Sequence, residues 1–141
     1  MRILIADDEK GIRLTLRDDL VDAGLEVTTV SDGELAWKEL SRKPYDLLVS
    51  DIVMPAMDGL TLLEKSKALY PSLFVIMITG NTSDERNRRA IELGANYYIE
   101  KPFDNQQIVL LAREAAKKVE LERKAQEQTS FQSLVGSSLT M

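Results

Sequence analysis

The sequence predicts a doubly wound α/β domain built on one five-stranded parallel sheet, and three observations carry that prediction. Short runs rich in Ile, Val and Leu recur at residues 2–6, 26–30, 46–50, 73–79 and 97–100. Runs that are apolar on both faces suit strands buried within a parallel sheet. Stretches with helical spacing follow them, so the chain reads as five βα units. Polar side chains then stand just past the ends of four of the runs, namely Asp7 and Asp8, Asp51, Thr79 and Lys101. In an open parallel sheet, ligands bind outside the carboxyl ends of the strands.

The first strand leads into a helix in which Ile12, Leu16, Leu20 and Ala23 fall at i, i+4, i+8 and i+11, with Gly24 placed as its stop. After the second strand, Leu35, Ala36 and Leu40 mark a shorter helix that ends before Pro44. The third strand precedes a helix marked by Leu62, Leu63, Ser66 and Leu69, which ends before Pro71. A fourth helix, about residues 84–93, carries few apolar residues and is expected to be the loosest element. The fifth begins near Asn105 and sets Ile108, Leu111, Ala112, Ala115 and Val119 on one face.

That fifth helix outlasts the core it would cover. Residues 113–128 contain no Gly or Pro, and Glu114 with Lys118 and Glu120 with Lys124 form favourable i, i+4 pairs. The helix is therefore expected to protrude. Ile108, Ala112, Ala115, Val119, Glu122 and Gln126 follow 4-3-4-3-4 spacing with polar later positions, which suits either a coiled coil or a solvated helix end. Residues 129–141 are uncharged and rich in Ser and Thr, and they read as linker or tail.

Composition narrows the chemistry. The 141 residues, 44% hydrophobic, are enough for one compact domain with a modest extension. Cysteine is absent, which excludes disulfides and thiolate metal sites. Histidine is absent too, which removes zinc–imidazole chemistry, histidine general bases and any phosphohistidine on the chain itself. The apolar runs are too short to span a bilayer, and Met1-Arg2 leads into a strand rather than a signal peptide, so a cytoplasmic protein is expected. The net charge of −5 lies wholly in residues 1–103, which hold thirteen basic and eighteen acidic residues. Such a field argues against this segment gripping a nucleic-acid backbone.

Three carboxylates packed at one sheet edge repel one another and invite a hard divalent cation, while an amine and a hydroxyl nearby suit a phosphoryl group. Asp51, ending the third strand, is the candidate nucleophile: a carboxylate can attack phosphorus to form an acyl phosphate if a metal offsets the charge. Asp8 would ligate Mg²⁺ directly and Asp7 directly or through water, with the backbone carbonyl of Val53 filling another oxygen position. Taken alone, Asp7-Asp8-Glu9 is also what an acidic helix N-terminus looks like. Lys101 alone reads first as a surface lysine, and Thr79 alone as a β-branched strand residue. Their coincidence at four strand ends favours the site, with Pro102 fixing the backbone behind Lys101 and Gly80 freeing the segment after Thr79.

Four segments in this order and spacing, Ala6-Asp7-Asp8-Glu9, Asp51-Ile52-Val53-Met54-Pro55-Ala56-Met57-Asp58-Gly59, Thr79-Gly80 and Lys101-Pro102-Phe103, resemble the receiver domain of bacterial two-component response regulators. The resemblance covers about residues 1–120. It implies a flavodoxin-like (CheY-like) fold with strand order 2-1-3-4-5 and Mg²⁺ bound by Asp8, Asp51 and the Val53 carbonyl with Asp7 assisting. It further implies phosphotransfer from a sensor histidine kinase to Asp51. Thr79 and Lys101 would then read the phosphate, and Tyr98 matches the family's aromatic switch position, although a core or rim tyrosine reads the same. The output surface implied is the fourth helix, fifth strand and fifth helix, with homodimerisation through that face or the linker helix. Val53 and Asn81 occupy the two flanking positions that tune phosphate lifetime in the family; Asn81 has the chemistry to orient a hydrolytic water and Val53 does not.

The long fifth helix and Ser133-Leu134-Val135-Gly136-Ser137-Ser138 resemble the signalling linker and first residues of the AAA+ domain in NtrC-like, sigma-54-dependent transcription activators. On that reading residues 121–141 are linker helix and tail, and the chain regulates an output domain it does not itself contain. Three rivals stand beside it. A haloacid-dehalogenase-like phosphatase also uses a strand-end aspartate and Mg²⁺, but it wants an acid where Val53 stands. A nucleotide-binding Rossmann domain wants a glycine-rich first turn, where this chain has Asp7-Asp8-Glu9-Lys10-Gly11. A stand-alone receiver that docks to a protein partner fits the site, but not the extended helix.

Overall fold

The computed structural model describes residues 1–80 and 84–139, and within them the side chains of residues 1–80 and 85–127. Strands and helices alternate throughout: β1 (Arg2–Ala6), α1 (Lys10–Asp22), β2 (Glu26–Val30), α2 (Gly33–Arg42), β3 (Leu47–Asp51), α3 (Gly59–Leu69), β4 (Phe74–Thr79), α4 (Asp84–Glu92), β5 (Tyr97–Glu100) and α5 (Asn105–Leu139). The five strands form one sheet in the order β2-β1-β3-β4-β5, and every pairing is parallel. This is the flavodoxin-like architecture expected. The order reverses at β1, so the edge crevice of the sheet opens beside the ends of β1 and β3.

The sheet is buried on both faces because its strands alternate two apolar sets. Leu4, Ala6, Leu48, Val75 and Met77 point to the side covered by α2, α3 and α4, where Ala36, Leu40, Leu62, Leu63 and Ala90 meet them. Ile3, Ile5, Leu47, Val49, Ile76 and Ile78 point to the other side, where Leu16 and Leu20 of α1 and Ile108, Val109, Ala112 and Ala115 of α5 close the core. Burying a Leu or Ile side chain contributes about 1.5–3 kcal/mol, so the central strands are the most strongly held part of the molecule. The ends of those strands are correspondingly rigid platforms.

The helix ends follow their sequence signals. Gly24 stops α1 at φ 88°, with its N–H donating to the Val21 carbonyl and that of Leu25 to Leu20. Asp32 and Asp58 cap α2 and α3 by accepting from the N–H groups of Leu35 and Thr61, each at 2.8 Å. Two apolar residues expected on inward faces lie outward. Leu35 is 42% exposed, because the inward stripe of α2 is Gly33, Ala36 and Leu40, and Leu35 lies about 100° around the helix from Ala36. Leu69 is 46% exposed, because the next residue, Tyr70, packs inward and its hydroxyl donates to the Leu40 carbonyl.

α5 departs from expectation along its length. Lys118 does not pair with Glu114 but lies 5.9 Å from the centre of the Phe74 ring, whereas Lys124 does pair with Glu120 at 3.5 Å. Residues 129–139, read as linker or tail, continue the helix to Leu139. That stretch holds no Pro and a single Gly, Gly136, so nothing in its backbone chemistry stops a helix already formed. Arg123 ties the extension to the body through Asp46 at 3.2 Å.

The loop between β3 and α3 is packed backbone on backbone. A Cβ on Gly59 would stand 2.0 Å from the Asp51 carbonyl oxygen, and one on Gly33 1.9 Å from that of Met57. Between them Ala56 holds a left-handed backbone, φ 69°, which costs an alanine about 1–2 kcal/mol. Two neighbouring substitutions should therefore act with opposite sign. Gly59→Ala is expected to destabilise by about 1–3 kcal/mol, and Ala56→Gly to stabilise by up to about 1 kcal/mol. Urea unfolding of the two variants beside the native chain measures both.

Candidate functional site

The register of the sheet brings the four strand ends to one edge. Ala6 pairs with Ser50, Asp51 with Ile78 and Thr79 with Glu100, so Asp7, Asp51, Thr79 and Lys101 leave adjacent strands at one level. Asp7 and Thr79 are each 1% exposed and Asp51 is 5% exposed, whereas Asp8 faces solvent. One carboxylate oxygen from each of Asp7, Asp8 and Asp51 lies within 4.8 Å of the others. The acids predicted from sequence do converge.

Lys101 is the counter-charge. Its Nζ stands 2.7 Å from Asp51 Oδ2, 2.6 Å from Glu9 Oε1 and 3.5 Å from Asp7 Oδ2. Burial opposes the ammonium, but the bonds from Asp51 and Glu9 and the charges of Asp7 and Asp51 outweigh it, so its pKa lies above the usual lysine value. The second Asp51 oxygen accepts from the Val53 N–H at 3.1 Å. The Asp51 carboxylate is thus held at both oxygens, by an ammonium on one and a backbone amide on the other.

Asp7 is the strained member. Its Oδ1 accepts from the Glu9 N–H at 2.8 Å, but its Oδ2 is buried with no hydrogen-bond partner. Burial pushes its pKa from 3.8 up to about 6, against that backbone bond and the pull of Lys101, with the charges of Asp51 and Glu9 adding to the rise. A buried carboxylate oxygen without a hydrogen bond, beside two more carboxylates, belongs to the kind of donor set that a hard divalent cation satisfies. The residues present fit a magnesium-sized ion.

Two close neighbours of these residues escaped the sequence reading. Glu9 was visible only as part of a motif, yet it grips Lys101 across 92 residues of chain. Arg13 reaches back along α1 to donate to the Asp7 carbonyl at 2.9 Å. An acid directly after the pair and an arginine four residues further on were the available signals. Tyr98 is half-buried on β5, packed toward α4, and its hydroxyl donates to Asn87 Oδ1 there. Val53 leaves its side chain 55% exposed, and Asn81 lies outside the described residues.

The strain at Asp7 has a measurable sign. Its folded pKa, about 6, exceeds the ordinary 3.8, so the stability tied to its protonated form is complete below about pH 4 and is lost as pH rises through about 6. Without divalent cations, Asp7→Asn is expected to be more stable than the native chain at neutral pH by about 1–3 kcal/mol and to flatten the pH dependence between those values. Denaturant unfolding across that range measures it, and a native-like slope in the variant would contradict the assignment.

Comparison with known proteins converges on the same reading. The response regulator receiver domain family matches residues 3–113. An NtrX-like response regulator of Rickettsia felis is 38% identical over 123 residues, covering 86% of this chain and 26% of the relative. The DNA-binding transcriptional regulator NtrC of Escherichia coli K12 is 39% identical over 113 residues, covering 80% of this chain and 24% of the relative. The chain thus spans about a quarter of the length of these curated relatives. Among solved structures, a CheY-like receiver domain protein from Methanospirillum hungatei JF-1 superposes with TM-score 0.82 at 31% identity, covering 86% of this chain and 97% of that one. NtrX from Brucella abortus gives 0.78 at 35% identity, covering 88% of this chain and 29% of that one. With its fold, its strand-end acids and its sequence in agreement, the chain belongs to the response regulator receiver domain family.

Proposed function

We propose that the chain is a phosphoacceptor module in which Asp51 takes a phosphoryl group from the phosphohistidine of a sensor histidine kinase. The observation that carries this reading is the pairing of Asp51 with Lys101 at 2.7 Å, inside a set of three carboxylates within 4.8 Å of one another. A carboxylate oxygen of Asp51 attacks phosphorus, the P–N bond to the kinase histidine breaks, and its electron pair stays on the imidazole nitrogen, which is reprotonated from solvent. Asp7, Asp8, Asp51 and the Val53 carbonyl would hold Mg²⁺. When bound, the ion offsets the charge gathered between these carboxylates and the incoming phosphoryl oxygens.

The chain's own residues do the rest. Lys101 keeps an ammonium beside the acceptor at rest and offers it to the phosphoryl oxygens once Asp51 is esterified. The Val53 N–H fixes the other acceptor oxygen, orienting the carboxylate for attack. Thr79, buried at the end of the adjacent strand, supplies a hydroxyl to the new phosphoryl group, and Gly80 behind it permits the shift. At rest Tyr98 is tethered to Asn87 of α4, so an inward turn of its ring following Thr79 would release that contact and alter the α4-β5-α5 face.

The relatives and α5 support a larger assignment. Proteins named NtrX-like and NtrC are more than three times the length of this chain, and one is described as a DNA-binding transcriptional regulator. On this reading the receiver acts in the cytoplasm on an AAA+ output domain of a sigma-54-dependent activator, through homodimerisation of the α4-β5-α5 face or the helical linker. No helix among the described residues is long and apolar enough to cross a membrane, which is compatible with that setting. Intact mass after incubation with acetyl phosphate tests the core of the proposal. One phosphoryl adduct that requires both Mg²⁺ and Asp51, and is absent from Asp51→Ala, is expected. An adduct that persists in the variant or in excess chelator would refute it.

A further inference from the structure

Lys101 is bound by two carboxylates of different kinds. Asp51 is buried, ends β3 and is the acceptor; Glu9 has a side chain 57% exposed, precedes α1 as its N-cap residue and plays no part in the chemistry above. Glu9 makes no side-chain cap to its own helix. Its carboxylate turns away from that role, reaching Lys101 Nζ at 2.6 Å, as short as the contact to the acceptor. The lysine side chain, 13% exposed, is thus suspended between the β1–α1 loop on one side and β3 on the other.

Esterification of Asp51 changes these two anchors unequally. The acceptor carboxylate loses its charge, and the charge reappears farther out, on the phosphoryl oxygens. An ammonium hydrogen-bonded to Asp51 alone, with Asp7 Oδ2 only a nearby charge at 3.5 Å, would have to find that new position from many rotamers, and a lysine side chain carries about 2 kcal/mol of rotamer freedom. An ammonium also held by Glu9 is kept at the mouth of the site throughout. We infer that Glu9 is a positioning residue, whose carboxylate holds the Lys101 ammonium where the phosphoryl group arrives. This inference rests on the phosphoacceptor reading of the site.

The physics offers a competing effect that separates cleanly by experiment. Glu9 also adds a negative charge near the path of an anionic donor, and if repulsion dominated, removing the charge would speed phosphorylation. Glu9→Gln removes the charge but keeps an oxygen able to accept from Lys101, whereas Glu9→Ala removes both. Positioning predicts that the Ala variant is labelled by acetyl phosphate about three- to tenfold more slowly at saturating Mg²⁺, and that the Gln variant stays close to the native rate.

A second readout does not depend on the metal or on phosphorylation. The rate at which an amine-acylating ester modifies Lys101, followed by peptide mass spectrometry in metal-free buffer, is expected to rise several-fold in Glu9→Ala and to be largely restored in Glu9→Gln. Faster labelling of both variants by acetyl phosphate would overturn the inference in favour of simple repulsion, as would native labelling and acylation rates in both. Should the native chain fail to accept phosphate at all, the phosphoacceptor reading falls, and unchanged Lys101 acylation would then separately remove the positioning role.

Discussion

The structure turns on a deliberate electrostatic imbalance at one edge of the sheet: three carboxylates brought within 4.8 Å of one another, with the ammonium of Lys101 shared among Asp51, Glu9 and Asp7. Burying charge is unfavourable unless it is paired and hydrogen-bonded. Here the pairing is incomplete, and the cost settles on Asp7, whose Oδ2 has no hydrogen-bond partner and whose pKa rises to about 6. A site that is unsatisfied in this way has free energy to gain from a divalent cation and from a group that carries its own charge outward.

Only a stiff scaffold can hold such a site together. Both faces of the sheet are sealed by interdigitated Ile, Leu, Val and Met side chains, which fixes the strands and so fixes the residues that leave their ends. The loop that follows Asp51 is braced as tightly, since Gly59 packs against the Asp51 backbone and Gly33 against Met57. Asp51 therefore cannot drift from its neighbours to relieve the repulsion. Around this platform stand the Lys101 side chain, bonded to two acids, and the Tyr98 hydroxyl, bonded to Asn87 of α4.

Much of this was legible in the sequence because two signals reinforce one another. Apolar runs of strand length separated by helical spacing gave the five βα units with strand boundaries within a residue, and the polar residues ending those runs gave Asp7, Asp8, Asp51, Thr79 and Lys101. What failed to show was whatever depends on tertiary packing. Leu35 and Leu69 lie outward because Gly33, Ala36 and Tyr70 fit the inward faces better. The Glu9 to Lys101 contact joins residues far apart in the chain, and local patterning shows only an acid directly after the Asp pair, not its partner. The helix through residues 129–139 was hidden by composition, since Ser and Thr suggest a loop yet do not forbid a helix already under way.

The claim on which the account depends is that the strained carboxylate cluster exists to esterify Asp51. Borohydride reduction converts an aspartyl phosphate to homoserine and leaves serine, threonine and tyrosine phosphates untouched. Phosphorylating the chain in Mg²⁺, reducing it and sequencing its peptides by mass spectrometry therefore names the acceptor directly. The account predicts homoserine at position 51 and unmodified aspartate at positions 7 and 8. Homoserine at either of those positions, or phosphate retained on a hydroxyl side chain, would contradict it.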